Sequence, residues 1–292
     1  MAGGPPTHRR VRLGLALRDA RETRRLTQTE AAKLIGKSQP WLTKVETAQI
    51  AQIKRTDLDK LLDAYQITGR KAEQLRQFAR SSYDERGVYV DTSASPAWWS
   101  EYQEVEREAR VIKAVHLEAH DGLIQSEAYM RRQFELDGAV EVDKQVHARL
   151  TRQTAIFGQE APPDCTFVLS EACLRRHMGD PTMMITQLKH LLTLSERPYI
   201  TILVQPFDAH FPASTFGFTL MQFNSATMGD FVCVEYAVGS ATIDDEDALR
   251  LFQRRWEFVR SAALGEYDSR RFIRRVLKEY QQNVKGHTNA DL

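Results

Sequence analysis

The stretch LTQTEAAKLIGKSQPWLTKVETAQ, residues 26–49, decides how the first part of the chain folds. Thr27 and Glu30 stand three apart, the spacing of a capping box, in which each side chain satisfies a backbone N–H that the first helical turn leaves open. Ala31, Ala32, Leu34 and Ile35 carry a helix to Gly36, a residue able to take the left-handed conformation that a sharp stop needs. Two residues later Ser38 offers a second N-cap, and Pro40 falls in the first turn, where its missing N–H costs nothing. Leu42 and Val45 point inward at i, i+3, leaving Gln39, Pro40, Trp41, Thr43 and Lys44 on or near the outer face.

Outward from this stretch, Leu13, Leu15, Ala16, Leu17 and Ala20 lie mainly on one side of a preceding helix that ends near Arg24 and Arg25. Leu58, Leu61, Leu62 and Tyr65 form the stripe of a closing helix. The first 80 residues hold 17 Lys or Arg against 8 Asp or Glu, and the remainder 23 against 31. A net charge of +1 therefore hides a basic head on an acidic body, the asymmetry expected when one domain meets a polyanion. Residues 1–81 read as an all-α head, 82–97 as a linker, 98–284 as an α+β body and 285–292 as a flexible tail. Helical spacing dominates residues 100–157, 171–194 and 244–282, while CTFVLS, YITILVQPF, FGFTLMQF and DFVCVEYAV have strand length and pattern. No apolar run reaches the roughly 20 residues that span a bilayer, and no apolar stretch follows the basic N-terminus, so a cytoplasmic, nucleoid-associated location is expected.

Two helices joined by a turn of three or four residues containing Gly form a helix-turn-helix unit, whose second helix enters the major groove with its first residues against base edges. Gln39 suits that place, since its amide can make a bidentate contact with adenine N6 and N7. Lys44 reaches a guanine or a phosphate, Thr43 a phosphate or a thymine methyl, and Gln28 a phosphate at the N-terminus of the preceding helix. Ser38, Pro40 and Trp41 complete the outer face, and Lys37, Lys54 and Arg55 flank the DNA backbone. The competing interpretation is a helical hairpin whose outer face is merely solvated. The basic head and an exposed Trp41 favour the DNA interpretation.

Catalytic and metal-binding patterns are weaker. His116 and His120 in HLEAH have zinc-site spacing on a helix, without the Glu that follows the first His in a metalloprotease or a third ligand. Cys173 and His177 repeat the spacing, but a nucleophilic pair needs a lowered thiol pKa and an orienting group. Cys165, Cys173 and Cys233 form no disulfide framework and read as buried small hydrophobes. Trp98, Trp99 and Tyr102 pin a linker onto the domain core, line a ligand pocket or stack on nucleic acid. Glu235 and the acidic run at 244–247 suggest a cation site, although the run opens a helix, where acidic residues favour the dipole. No phosphate-cradling loop or nucleophile elbow is present; no enzyme, cofactor or metal is expected.

Residues 13–65 resemble the Cro/CI-type (XRE) helix-turn-helix domain: Gln opens the second helix, Gly sits in the turn, Ser caps the recognition helix and Glu46 stands near its end. After Glu46, TAQIAQ replaces the usual Gly-containing turn. EVEREARVI, DGLIQSEAYMRR, the long run VLSEACLRRHMGDPTMMITQLKHLLTLSERPYITILVQPF, FGFTLMQF and VEYAVG resemble the C-terminal domain of WhiJ-like, antitoxin-like regulators of actinobacteria. AHDGLIQS departs where that family has Pro before the Gly. The resemblance implies a DNA-binding regulator of development or secondary metabolism, working with a small partner protein encoded nearby and open to an effector. A homodimer on an inverted-repeat operator is expected, held through MMITQLKHLLTLSE and LRLFQRRWEFVRSAAL. The alternative is a ligand-binding protein or enzyme whose head is a scaffold.

Overall fold

The computed structural model describes residues 8–50, 53–80, 88–91, 102–103, 105–209, 216–224, 229–236 and 239–290. An all-α N-terminal region precedes an α+β C-terminal region. The chain divides into two compact units, one including the N-terminal helices and the other strands β2 to β4 and the last long helix, both defined below.

Five helices form the head: α1 (His8–Thr23), α2 (Gln28–Leu34), α3 (Gln39–Glu46), α4 (Arg55–Ala64) and α5 (Gly69–Arg80). Their boundaries follow the expected signals. Thr27 and Glu30 make the capping box, and Ser38 Oγ accepts from Trp41 N. At the end of α2, Gly36 has φ +71, Lys37 N donates to Ala32 O and Gly36 N to Lys33 O, a Schellman stop that frees Ser38 to start α3 at once. The unusual TAQ segment uses the same device without glycine. Ala48 takes φ +57 while its own N–H bonds Val45 O, that of Gln49 bonds Lys44 O, and its methyl is buried. Leu17, Ala31, Leu42, Leu58, Leu61 and Leu62 make a core with at most 1% exposure.

The body carries β2 (Val111–His116), α6 (Glu127–Leu136), α7 (Val142–Phe157), β3 (Asp164–Ser170), α8 (Glu171–Arg175), α9 (Pro181–Leu194), β4 (Ile200–Gln205), β5 (Phe218–Gln222), β6 (Phe231–Tyr236), β7 (Gly239–Ile243), α10 (Glu246–Ala262) and α11 (Glu266–Ala290). With β1 (Val88–Asp91), the strands form one sheet ordered β1-β7-β6-β5-β2-β3-β4. Parallel pairing joins β2 to β3, Val111 facing Asp164, and β3 to β4, Cys165 facing Ile200. Crossovers through α6–α7 and α8–α9 make that direction possible; β6 and β7, two residues apart, can pair only as an antiparallel hairpin. Phe167, Val168 and Leu169 are fully buried, as parallel strands covered on both faces must be.

Several expectations are corrected. Residues 111–116 were expected to be helical and are strand β2, because a strand buried on both faces shows no alternation to set it apart from a buried helix. GSATI is strand β7, and β1 lies inside the expected linker and adds to the sheet edge. Helix α11 runs to Ala290, through most of the expected tail. Trp98 and Trp99 fall outside the described residues, whereas Tyr102 is buried.

Candidate nucleic-acid interface

In the head, a chain of hydrogen bonds links three helices. Gln39, the first residue of α3, donates from Nε2 to Gln28 Oε1 at 2.9 Å and to Thr43 Oγ1 at 2.9 Å. Thr43 Oγ1 is also 2.8 Å from Gln28 Oε1, and Gln28 Nε2 donates to Glu46 Oε2 at 2.8 Å. Glu46, at the end of α3, takes a two-pronged contact from Arg21 of α1, with Nε to Oε1 at 2.6 Å and Nη2 to Oε2 at 3.1 Å. Arg21 Nη1 reaches Leu26 O at 2.8 Å, so the same guanidinium pins the loop before α2. Hydrogen bonding to Glu46 pushes the Arg21 pKa up, against the opposing effect of burial, and the cation is permanent.

This chain fixes amide orientations. The carboxylate can only accept, so Gln28 must turn its NH2 to Glu46 and its carbonyl to Gln39. That carbonyl in turn draws the Gln39 NH2 inward, leaving Gln39 Oε1 without an internal partner among the described residues. Helix α3 is also held closely from behind. A Cβ on Gly14 of α1 would lie 2.6 Å from Glu46 O and 2.8 Å from Val45 O, so only glycine lets α1 pass the end of α3.

The structure thus brings Gln28, Gln39 and Thr43 into one cluster, with Ser38 as the cap and Pro40 exposed in the first turn. Lys44 is exposed in the last turn of α3 and makes no ion pair among the described residues. Trp41 departs from its expected exposure: it is half-buried against the head core, with Lys37 Nζ 5.1 Å from its ring centroid. Lys37 also pairs with Asp57 at 2.8 Å, an anchor between the turn and α4. Lys54 is the N-cap residue of α4 and Arg55 its first residue, both exposed and away from the glutamine cluster in sequence; Arg55 lies 3.8 Å from Asp59. Sequence reasoning did not single out Arg21 or Gly14 and noted Glu46 only through a family pattern. The available signal was an acid inside a basic head, on the α3 face that also carries buried Leu42.

The other candidate sites take a different form. His116 ends β2 and pairs through Nε2 with Asp121 Oδ2 at 3.0 Å, while His120 lies in the following loop, not one helical turn away. His120 is buried edge-on to Tyr129 with both ring nitrogens unpartnered, and burial drives its pKa down to about 3. Among the described residues, no group of three or more His, Cys, Asp or Glu could hold a metal. Cys173 is buried, its pKa pushed up to about 12 by desolvation, which makes it a poor nucleophile; His177 lies beyond the end of α8 and packs edge-on to Tyr280. Asp245 caps α10 through Ala248 N, so the acidic run serves a helix start. No described helix is long and apolar enough to cross a membrane.

Residues 12–75 match a helix-turn-helix domain model and residues 99–275 the model of a domain of unknown function, DUF5753. A search among curated proteins finds no match. One similar solved structure is TrmBL2, an archaeal chromatin protein described as showing a novel mode of DNA binding. It shares 14% identity over 72% of this chain, with a TM-score of 0.29. The chain spans 65% of that protein's length. The N-terminal match assigns the head to the DNA-binding helix-turn-helix class, and because the second model covers more than half of the sequence, the chain belongs to the DUF5753 family.

Proposed function

We propose that this protein is a sequence-specific transcriptional regulator that lays α3 in the major groove of an operator and acts by binding, with no catalytic step of its own. The observation that carries the proposal is the fixed Gln39 amide at the first turn of α3, with a carbonyl oxygen still free to accept. A free acceptor there suits the N6 amino group of adenine or the N4 amino group of cytosine; a bidentate adenine contact requires one internal bond to be exchanged. Gln28 acts through Gln39 as well as on phosphate. Lys44 and the exposed Lys54 and Arg55 supply backbone contacts, while Lys37 and Trp41 hold the turn in place.

The body supplies assembly in this proposal. The apolar face of α9 is spent internally, since Met184, Leu188, Leu191 and Leu194 are all buried. Helix α10 keeps Leu251 and Phe258 exposed, at 56% and 61%, two turns apart on one side. A homodimer pairing through α10 presents two heads to an inverted repeat, with half-sites about 34 Å apart or a multiple of it. Membership among Cro/CI-type and WhiJ-like, antitoxin-like regulators, control of development or secondary metabolism, a small partner encoded nearby and an effector rest on the sequence resemblance. A mobility-shift assay on genomic fragments tests the reading. A subset of fragments should stay bound in excess random DNA; uniform loss of every fragment would refute sequence-specific binding.

A further inference from the structure

Helix α11 carries on one face a row of cations that the fold itself does not need. Arg271, Arg274, Arg275 and Lys278 are exposed and line an open groove of about 460 Å³ together with Glu279 and Gln282. The opposite face, with Ser269, Phe272, Ile273, Val276 and Tyr280, is buried. The helix is clamped between Ser269 and Tyr280. Ser269 Oγ accepts from Val204 N at 3.0 Å, Glu279 takes Arg175 at 2.7 Å, and Tyr280 donates to Arg175 O at 3.1 Å. The row is therefore a fixed feature of the body.

Its charges oppose stability. Arg271 and Arg275, and Arg274 and Lys278, are like-charged pairs at i, i+4, and Arg271–Arg274 and Arg275–Lys278 repeat this at i, i+3; such pairs destabilise a helix. Relief is partial: Arg271 has Asp268 at 3.2 Å, Arg275 stacks on Phe272 with its guanidinium 4.3 Å from the ring centroid, and Glu279 is already taken by Arg175. Arg274 and Lys278 have no ion-pair partner among the described residues. This lies in a part of the chain where acids outnumber bases, 31 to 23. A surface shaped by solubility alone would alternate its signs.

We propose that this face of α11 is a second DNA-contacting surface, which grips the phosphate backbone of a duplex. The row from residue 271 to 278 is about 10 Å long at 1.5 Å per residue. A duplex presents a negative charge about every 1.7 Å of its axis, so a row of that length meets several phosphates. Three of the four cations are arginines, whose forked donors take phosphate oxygens in pairs, and Gln282 adds a neutral donor. An acidic body would otherwise be repelled by DNA. The proposal rests on the DNA-binding reading of the head, which makes a duplex the polyanion available to this face.

The test measures affinity of the full-length protein for a 40-base-pair random-sequence duplex as a function of salt, for the wild type, Arg274→Gln/Lys278→Gln and Lys44→Gln. Loss of two phosphate contacts should flatten the log affinity against log salt slope by about 1.8, so that the wild-type advantage shrinks about twelvefold between 50 and 200 mM salt. Far-ultraviolet dichroism and the melting temperature should not fall, because the substituted side chains hold nothing in place. If Lys44→Gln flattens the slope and the double variant leaves it unchanged, the α11 surface is refuted while the head reading stands. If the wild type shows no salt-dependent DNA binding at all, both readings fail. Unchanged DNA binding combined with loss of binding to a poly-glutamate probe would assign the groove to an acidic peptide and overturn the proposal.

Discussion

Glu46→Gln isolates the bond set that holds α3. The Arg21 and Glu46 side chains are 8% and 1% exposed, and their contacts are 2.6 and 3.1 Å long. Breaking a buried pair by removing one partner costs roughly 3–5 kcal/mol, mostly from the uncompensated charge left behind. Here Arg21 keeps Leu26 O at 2.8 Å and Glu22 at 3.2 Å, and the new amide oxygen can still accept one bond. The predicted loss is therefore about 2 kcal/mol. In a domain of this size that lowers the melting temperature by roughly 8–16 °C, read from the head amides by hydrogen exchange in the intact chain or from the head's thermal transition. Replacing both partners, Arg21→Met with Glu46→Leu, should recover much of the stability but not the DNA specificity, because nothing then orients Gln28. A loss below about 0.5 kcal/mol for Glu46→Gln, or a double variant no more stable than the single one, would refute the claim that this pair locks α1 to α3.

Other substitutions probe separate links. Gly14→Ala should push α1 off the end of α3, costing roughly 1–3 kcal/mol and weakening DNA binding; unchanged melting would contradict the close approach at 2.6 Å. Gln39→Ala should cost roughly 1–3 kcal/mol on a selected operator and relax one base position; Gln28→Ala should relax the same position and weaken all sequences besides. Selection from a randomised duplex library checks both, and an unchanged base preference for Gln28→Ala would disprove its orienting role. In the body, the His120 pKa of about 3 lies below the ordinary 6.5, so the unfolded chain takes up a proton that the folded chain refuses. Stability from this group is complete above pH 6.5 and falls as pH drops, by about 2 kcal/mol between pH 6.5 and 5. Denaturant titrations of the wild type and His120→Phe across that range should show a steeper slope in the wild type, the variant keeping only the part carried by other groups such as His190, whose pKa burial also lowers.

The head was legible because its signals are local. A capping box spans four residues, the stop at Gly36 needs only its neighbours, and Ser38 and Pro40 mark a start by themselves. The orientation of Gln28 was not legible, since Glu46 and Arg21 set it from 18 residues later and 7 residues earlier in the chain. Trp41 misled because position on a helical wheel says nothing of a neighbouring Lys37 that covers the ring. In the body, CTFVLS and YITILVQPF were recognisable from β-branched and aromatic runs of the right length. VIKAVH sits between helix-like flanks, and GSATI is too small and polar to resemble a strand until the sheet gives it a partner. The HLEAH pattern failed for the same reason, because its zinc-site spacing holds only on a helix and β2 ends at His116.

The parallel pairing of β2 with β3 sets an order in time. Val111 must wait for Asp164, and β2 also borders β5, more than 100 residues later in the chain, so the body cannot close its sheet until most of the chain exists. The buried core of the head draws only on residues 13–75, and helical domains of low contact order fold in microseconds to milliseconds. At roughly 5–20 residues per second, synthesis of the remaining 212 residues takes about 10–40 seconds. For that interval the nascent chain holds every residue of the head core while the sheet of the body is still unfinished.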